Sequence, residues 1–220
     1  STLMRSSAAS DVYKRQDLAL AKDAGFTDIV VDVRPTTGDV LFKTNLVDQV
    51  KFMYAWIGSN YTKVERTATW DYLQAFVDEA RKQGLRIHAA INTFVGGNQI
   101  DGGTGLLYRD QSKAEWATQM NMQVGITSVM NTSESTKFFN PAHPEVQTFL
   151  CDLLKDLAGY DLDGIFLDRG RFLNLQADFS EESRKQFEEY MGGIRIQNYP
   201  NDILAVSYTH LRAHETRRHL

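Results

Sequence analysis

One pattern recurs three times in this chain: an amphipathic helical stretch, a glycine, a short apolar run, then polar residues. DLALAKDAGF leads to TDIVVDVRP, WDYLQAFVDEARKQGL to RIHAAINTF, and PEVQTFLCDLLKDLAGYDL to DGIFLDRG. In the second stretch Tyr72, Phe76, Val77 and Ala80 recur at helical spacing. In the third, Val146, Phe149, Leu150, Leu153, Leu154 and Leu157 do so. Gly25, Gly84 and Gly159 stand where a helix end favours a left-handed residue. His143-Pro144 opens the third helix with a proline whose missing N–H costs nothing in the first turn. Short apolar strands alternating with helices predict a parallel α/β sheet.

An open doubly wound sheet and a (β/α)8 barrel both satisfy this pattern. No GxGxxG or GxxxxGK[ST] follows any of the three strands, which lowers the weight of nucleotide-binding versions. Each strand instead ends in polar side chains that share a face by the two-residue period: Asp32 with Arg34, His88 with Asn92, Phe166 with Asp168. In a barrel such faces point inward at the C-terminal rim, where active sites lie. The connections after the first two strands are long, which predicts function or secondary structure within them. Three strands cannot close a barrel of eight. The expectation is therefore a partial (β/α)8 TIM barrel, an N-terminal portion with about three to four βα units.

Composition narrows the function classes. A formal net charge of −4 gives no reason to expect nucleic acid. A single cysteine, Cys151, excludes an intramolecular disulfide framework, and no apolar run reaches the length of a membrane span. The two ends read differently from the middle. STLMRSSAASDVYKRQ shows neither a clean helical nor a strand period and has no apolar signal-peptide core. AVSYTHLRAHETRRHL carries His210, His214 and His219 without an acidic ligand at a recognisable offset, a poor metal-site candidate. Both ends resemble translated adapter or linker sequence. The expected organisation is a non-native head at 1–16, a partial barrel at 17–204 and a non-native tail at 205–220.

VDVRPTTGDVLF, MYAWIGSNY, GLRIHAAINTF, FFNPAHPEV and DLDGIFLDRGRF occur in that order. Together they resemble the glycosyl-hydrolase-like 10 family, over about Leu18 to Pro200. The resemblance implies a (β/α)8 barrel, a glycan substrate, an exported life at the envelope or outside the cell, and an important aspartate at Asp168. Many relatives carry two consecutive acids at this strand end. Here Arg169 follows, so only Asp168 carries over.

Glycoside hydrolysis uses two carboxyl groups, one to protonate the leaving oxygen and one to attack or to activate water. Asp168, ending a buried strand, is the catalytic candidate; the bland alternative is a salt bridge to Arg169 or Arg171, or a carboxylate accepting bonds from loop N–H groups. The candidate substrate-binding residues are Asp32, Arg34, Asn92, Trp56 and Arg171. Asp32 and Arg34 are expected to pair, either to position a sugar hydroxyl or to brace the rim. His88 reads more simply as a satisfied core residue. Trp56, Tyr54 and Tyr61 could stack on pyranose faces, or could pack their loop onto the sheet. Trp70 and Cys151 read as core, and Asp178 and Glu181 as part of an ordinary helix start capped by Ser180.

Three functions are compatible with these residues. A glycoside hydrolase comes first, with its partner carboxylate expected beyond the C-terminal cut of the barrel portion. A catalytically silent glycan-binding barrel comes second, favoured by Arg169. A metal-dependent hydrolase using Asp32, His88 and Asp168 comes third, without HxH or HExxH support. The expectation is a carbohydrate partner, no nucleic acid, no membrane span, no metal and no cofactor.

Overall fold

The computed structural model describes residues 7–204, with side chains from residue 15 onward. The histidine-bearing tail and the first six residues lie outside the described part. In chain order the elements are α1 (Ser7–Asp23), β1 (Asp28–Arg34), β2 (Phe52–Ile57), β3 (Asn60–Glu65), α2 (Tyr72–Gln83), β4 (Arg86–Asn92) and β5 (Val95–Asn98). They continue with α3 (Leu106–Arg109), β6 (Gln119–Met122), β7 (Gly125–Ser128), β8 (Thr136–Phe138), α4 (Pro144–Leu157), β9 (Gly164–Asp168) and α5 (Glu181–Tyr190).

Gly84 closes α2 and His143-Pro144 opens α4, as the pattern predicts. Asp71 caps α2, its carboxylate accepting the Gln74 N–H at 3.1 Å. Gly84 ends the helix at φ 64°, its N–H donating to Ala80 and Arg81. His143 caps α4 through Nδ1 and Pro144 occupies its first turn. The expected left-handed end at Gly159 does not form. Right-handed Ala158 closes α4, and short bonds from Gly159 to Asp156 and from Tyr160 to Leu157 carry the turn onward. Cys151 is exposed, not buried. At 3.6 residues per turn it lies about 140° around the helix from Val146, off the stripe of Val146, Phe149, Leu150, Leu153 and Leu157 that is buried. Trp70, just before the α2 cap, is only partly buried against the core. α1 begins at Ser7, across the expected boundary between residues 16 and 17. Its apolar period starts only in the second half, where Leu18 is buried; good helix formers such as Ala8, Ala9 and Lys14 extend it backwards without one.

The three expected strands pair in parallel in the order β1-β4-β9. Val30 lies level with His88 and His88 with Gly164, while Asn92 lies level with Asp168. One face of this sheet, with Val31, Val33, Ile87, Ala89 and Ile91, is buried in the core that α2 and α4 share. The opposite face is open: Val30 is 50% and Phe166 53% exposed. Among the described residues β1 and β9 are the edges, and the fold is mixed α/β without a closed barrel.

The long connections carry structure of their own, as their length predicted. The first contains the antiparallel hairpin β2–β3. The second contains the antiparallel pairs β5–β8 and β6–β7.

Candidate active site

The sheet's open face presents its polar groups in two tiers. At the lower tier His88 Nε2 lies 2.9 Å from Asp28 Oδ1, and Arg86 and Thr27 also hold that carboxylate at 2.7 and 2.6 Å. These bonds, Arg86 first, hold the Asp28 carboxyl well below the usual range. The His88 ring also meets Phe166 edge-on at 5.8 Å. A Cβ on Gly164 would stand 2.8 Å from His88 Nδ1, so the histidine needs a glycine beside it on β9. His88 is thus a satisfied sheet residue.

Asp32 and Asp168 stand on this face nearer the strand C-termini. Asp32 is level with Ala90, itself level with Phe166, and Asp168 is level with Asn92. Both acids are exposed. The Asp32 carboxyl is surface-accessible yet crowded by protein along its flanks. That crowding chiefly raises its pKa above the ordinary value, and the Asp168 charge adds to it; the Arg34 N–H and the Arg169 charge oppose. Asp168 turns its carboxylate onto the next peptide, accepting the Arg169 N–H at 2.7 Å. Arg169 has φ 49°, an unusual conformation for a side chain larger than asparagine, right at the strand's end. The Asp168 carbonyl accepts the Thr93 N–H at 2.7 Å. Neither Arg169 nor Arg171 forms a salt bridge with Asp168; Arg171 donates instead to the carbonyls of Phe172 and Leu173.

The expected pairing of Arg34 with Asp32 does not occur. The β1–β4 register slips between Asp32 and Arg34, so Arg34 pairs with Ile91 on the helix-facing side. Its side chain is fully buried, its guanidinium donating to the carbonyls of Asn92, Thr93 and Val95. Burial lowers its pKa to about 10, still charged at neutral pH. Asn92, also buried, returns the bond through Nδ2 to the Arg34 carbonyl at 2.8 Å. Arg34 and Asn92 together tie the ends of β1 and β4; Arg34 lies away from the open face, whereas Asn92, level with Asp168, is buried with its amide committed to the Arg34 carbonyl. A strict two-residue period cannot reveal a bulge.

The aromatic residues of the first connection form one face of the β2–β3 hairpin. Trp56 pairs across from Tyr61 and Tyr54 from Lys63. The Tyr54 and Tyr61 rings stack at 5.3 Å, with Trp56 tilted against Tyr61 at 5.3 Å. Trp56 stays 65% and Tyr61 58% exposed, so this row is not packed onto the sheet. Lys63 pairs with Asp101, in the connection that follows β4, and Tyr54 donates to the same carboxylate at 3.4 Å. The hairpin is therefore tied to the second long connection, and both connections leave the C-terminal ends of their strands.

Asp178 has a structural role that its sequence context did not reveal. Its carboxylate accepts the Thr118 hydroxyl at 2.9 Å, the Gln119 N–H at 2.7 Å and the Ser183 hydroxyl at 2.6 Å, together with the Ser180 hydroxyl. It thereby fastens β6 to the start of α5, which Ser180 caps as expected. A cleft of about 560 Å³ lined by Glu115, His143, Glu181, Glu182 and Lys185 opens there and shares no residue with the open sheet face. Glu181 and Glu182 fill the first turn of α5, where acids complement the helix dipole. Among the described residues no group of three or more His, Cys, Asp or Glu is placed to hold a metal ion; His88 is engaged with Asp28 a tier below Asp32.

The profile of the family described as glycosyl hydrolase-like 10 matches residues 4–219. The chain belongs to that family. A relative named S-layer-related protein, from Niallia circulans, is 31% identical over 194 residues, covering 84% of this chain. The chain spans only 12% of that relative's length. A hypothetical protein from Ruminiclostridium thermocellum ATCC 27405, known by crystal structure, superposes with TM-score 0.51 at 15% identity, covering 86% of this chain and 88% of its own. Alpha-L-fucosidase isoenzyme 2 from Paenibacillus thiaminolyticus superposes with TM-score 0.55 at 16% identity, over 90% of this chain and 25% of the fucosidase. At such identities the structural matches speak for the fold, a glycoside hydrolase-like one. No described helix is long and apolar enough to cross a membrane.

Proposed function

We propose that this chain is the N-terminal portion of a (β/α)8 barrel that hydrolyses O-glycosidic bonds of an oligo- or polysaccharide through paired carboxylates, one of them Asp168. The observation that carries the reading is the position of Asp168. It stands at the C-terminal end of the third parallel strand, on the open face of a sheet whose edges among the described residues are β1 and β9. Barrel completion would turn that face inward and make it the floor of a site. The exposed Trp56–Tyr61 row, on the connection that leaves the C-terminal end of β1, supports a sugar platform. The S-layer-related name of the Niallia circulans relative supports an exported, envelope-associated life.

In the full-length protein that carries this chain, Asp168→Asn should reduce turnover of a responsive glycan by several orders of magnitude. The melting temperature should barely move, because the carboxylate is exposed and holds no other element. Unchanged turnover would remove Asp168 from the mechanism.

A second reading, a glycan-binding barrel without catalysis, is favoured by Arg169 standing where a second acid would follow. Under it, Trp56→Ala would abolish retention on insoluble polysaccharide, and wild type would bind without releasing reducing ends.

A further inference from the structure

The partner of Asp168 need not lie elsewhere in the polypeptide. Asp32 and Asp168 occupy the same face of one sheet, near the same end, with the short side chain of Ala90 between their strands. Asp28, the remaining acid of β1 on that face, is held a tier lower by Arg86, Thr27 and His88. The bulge matters here. By sending Arg34 to the buried side it leaves Asp32 without a salt bridge among the described residues; the Arg34 N–H binds it at 3.2 Å, and the Arg169 and Arg34 side chains act on it only through their charge.

We propose that Asp32 is the second catalytic carboxyl, the general acid to Asp168's base, and that the pair is spaced for inversion. The inference rests on the hydrolase reading above and deepens it. Asp32 and Asp168 are two strands apart and one pleat apart along the strand, which is about 10 Å across and about 6.6 Å along. A backbone separation of about 12 Å leaves room for a water between the carboxyls, as the roughly 6.5–9.5 Å of inverting enzymes does and the ~5 Å of retaining ones does not. Crowding and the Asp168 charge both favour the protonated form of Asp32, as an acid requires.

The step balances without a co-reactant. Asp168 takes a proton from water as the water oxygen bonds to the anomeric carbon. The glycosidic C–O bond breaks with its electron pair on the leaving oxygen, which receives the Asp32 proton. Asp32 ends ionised and Asp168 protonated, and exchange with solvent resets both.

The test uses the full-length protein with two kinds of probe: phenyl glycosides, whose departure needs an acid, and glycosyl fluorides of the same sugars, whose departure does not. Asp32→Asn should lose about 10²–10⁴-fold on the phenyl glycosides and stay within about tenfold on the fluorides. Asp168→Asn should lose heavily on both, and proton NMR should show inverted product. Equal losses of Asp32→Asn on both probes, no loss on either, or a retained product would overturn the assignment while leaving a hydrolase dependent on Asp168 intact. No turnover by wild type, or turnover indifferent to Asp168→Asn, would overturn the hydrolase reading and this inference with it.

Discussion

At Arg34 a single side chain takes up three carbonyl oxygens that the end of β4 and the start of β5 would otherwise leave buried without donors. Lysine has the charge but lacks the flat fork that reaches separate carbonyls, so the exchange is not conservative here. Arg34→Lys should lower unfolding free energy by at least about 3 kcal/mol, since each charge-assisted bond contributes roughly 1.5–3 kcal/mol. Urea denaturation reads this directly, and a loss under about 1 kcal/mol would mean that the bonds carry little net stability. Asp32 points the other way. A carboxyl whose folded pKa is raised binds its proton more tightly folded than unfolded, so stability falls as pH rises through that folded value. Asp32→Asn should therefore raise the melting temperature at neutral pH. The gain should fade as pH drops below the ordinary aspartate range, where both forms are neutral. A residue kept at a cost to stability is what a working acid looks like; a wild-type advantage at neutral pH would contradict this account.

Between elements, β9 sits beside β4 because Gly164 makes room for His88. Gly164→Ala should cost about 1–3 kcal/mol through overpacking, and much less in a His88→Ala background. A cost unchanged by removal of the imidazole would show that the contact is not the reason for the glycine. The elements themselves were legible in the sequence to a large extent. β1, β4, β9, α2 and α4 follow from apolar spacing, and the cap at Gly84 and the proline start of α4 from single residues. Apolar neighbours on α4 suggest a buried Cys151, but its helical angle from Val146 excludes it. The two-residue period puts Arg34 beside Asp32, because a bulge leaves no trace in it. In the candidate site, Asp168 was visible as a charge ending an apolar run. The bonds that occupy Arg34, Asn92 and Asp178 were not, because they join residues far apart in sequence, such as Arg34 and Val95. The hairpin around Trp56 could be anticipated only as a long connection rich in aromatics.

On the scale of the molecule, β1 and β9 are the edge strands among the described residues, and Val30, Phe166 and Leu167 are half exposed. Edges and apolar faces of this kind promote association between chains. The 220-residue chain by itself should form concentration-dependent oligomers and melt broadly, whereas a chain extended through further βα units should stay monomeric and melt more sharply. Sedimentation velocity and calorimetry distinguish these outcomes. A sharp cooperative melt of a monomeric 220-residue chain would show that the open sheet needs no cover.

The sheet's parallel pairing also sets an order in time. The Asp28 and His88 that meet across β1 and β4 are 60 residues apart in the chain, and further long connections separate β4 from β9. Hairpins such as β2–β3 close within microseconds, while pairings between distant strands must wait for loops to close around them. As the polypeptide leaves the ribosome, the aromatic hairpin can thus be complete before β4 exists to receive β1. The first strand then spends its early life as a bare apolar segment, and chaperone engagement during synthesis should concentrate there.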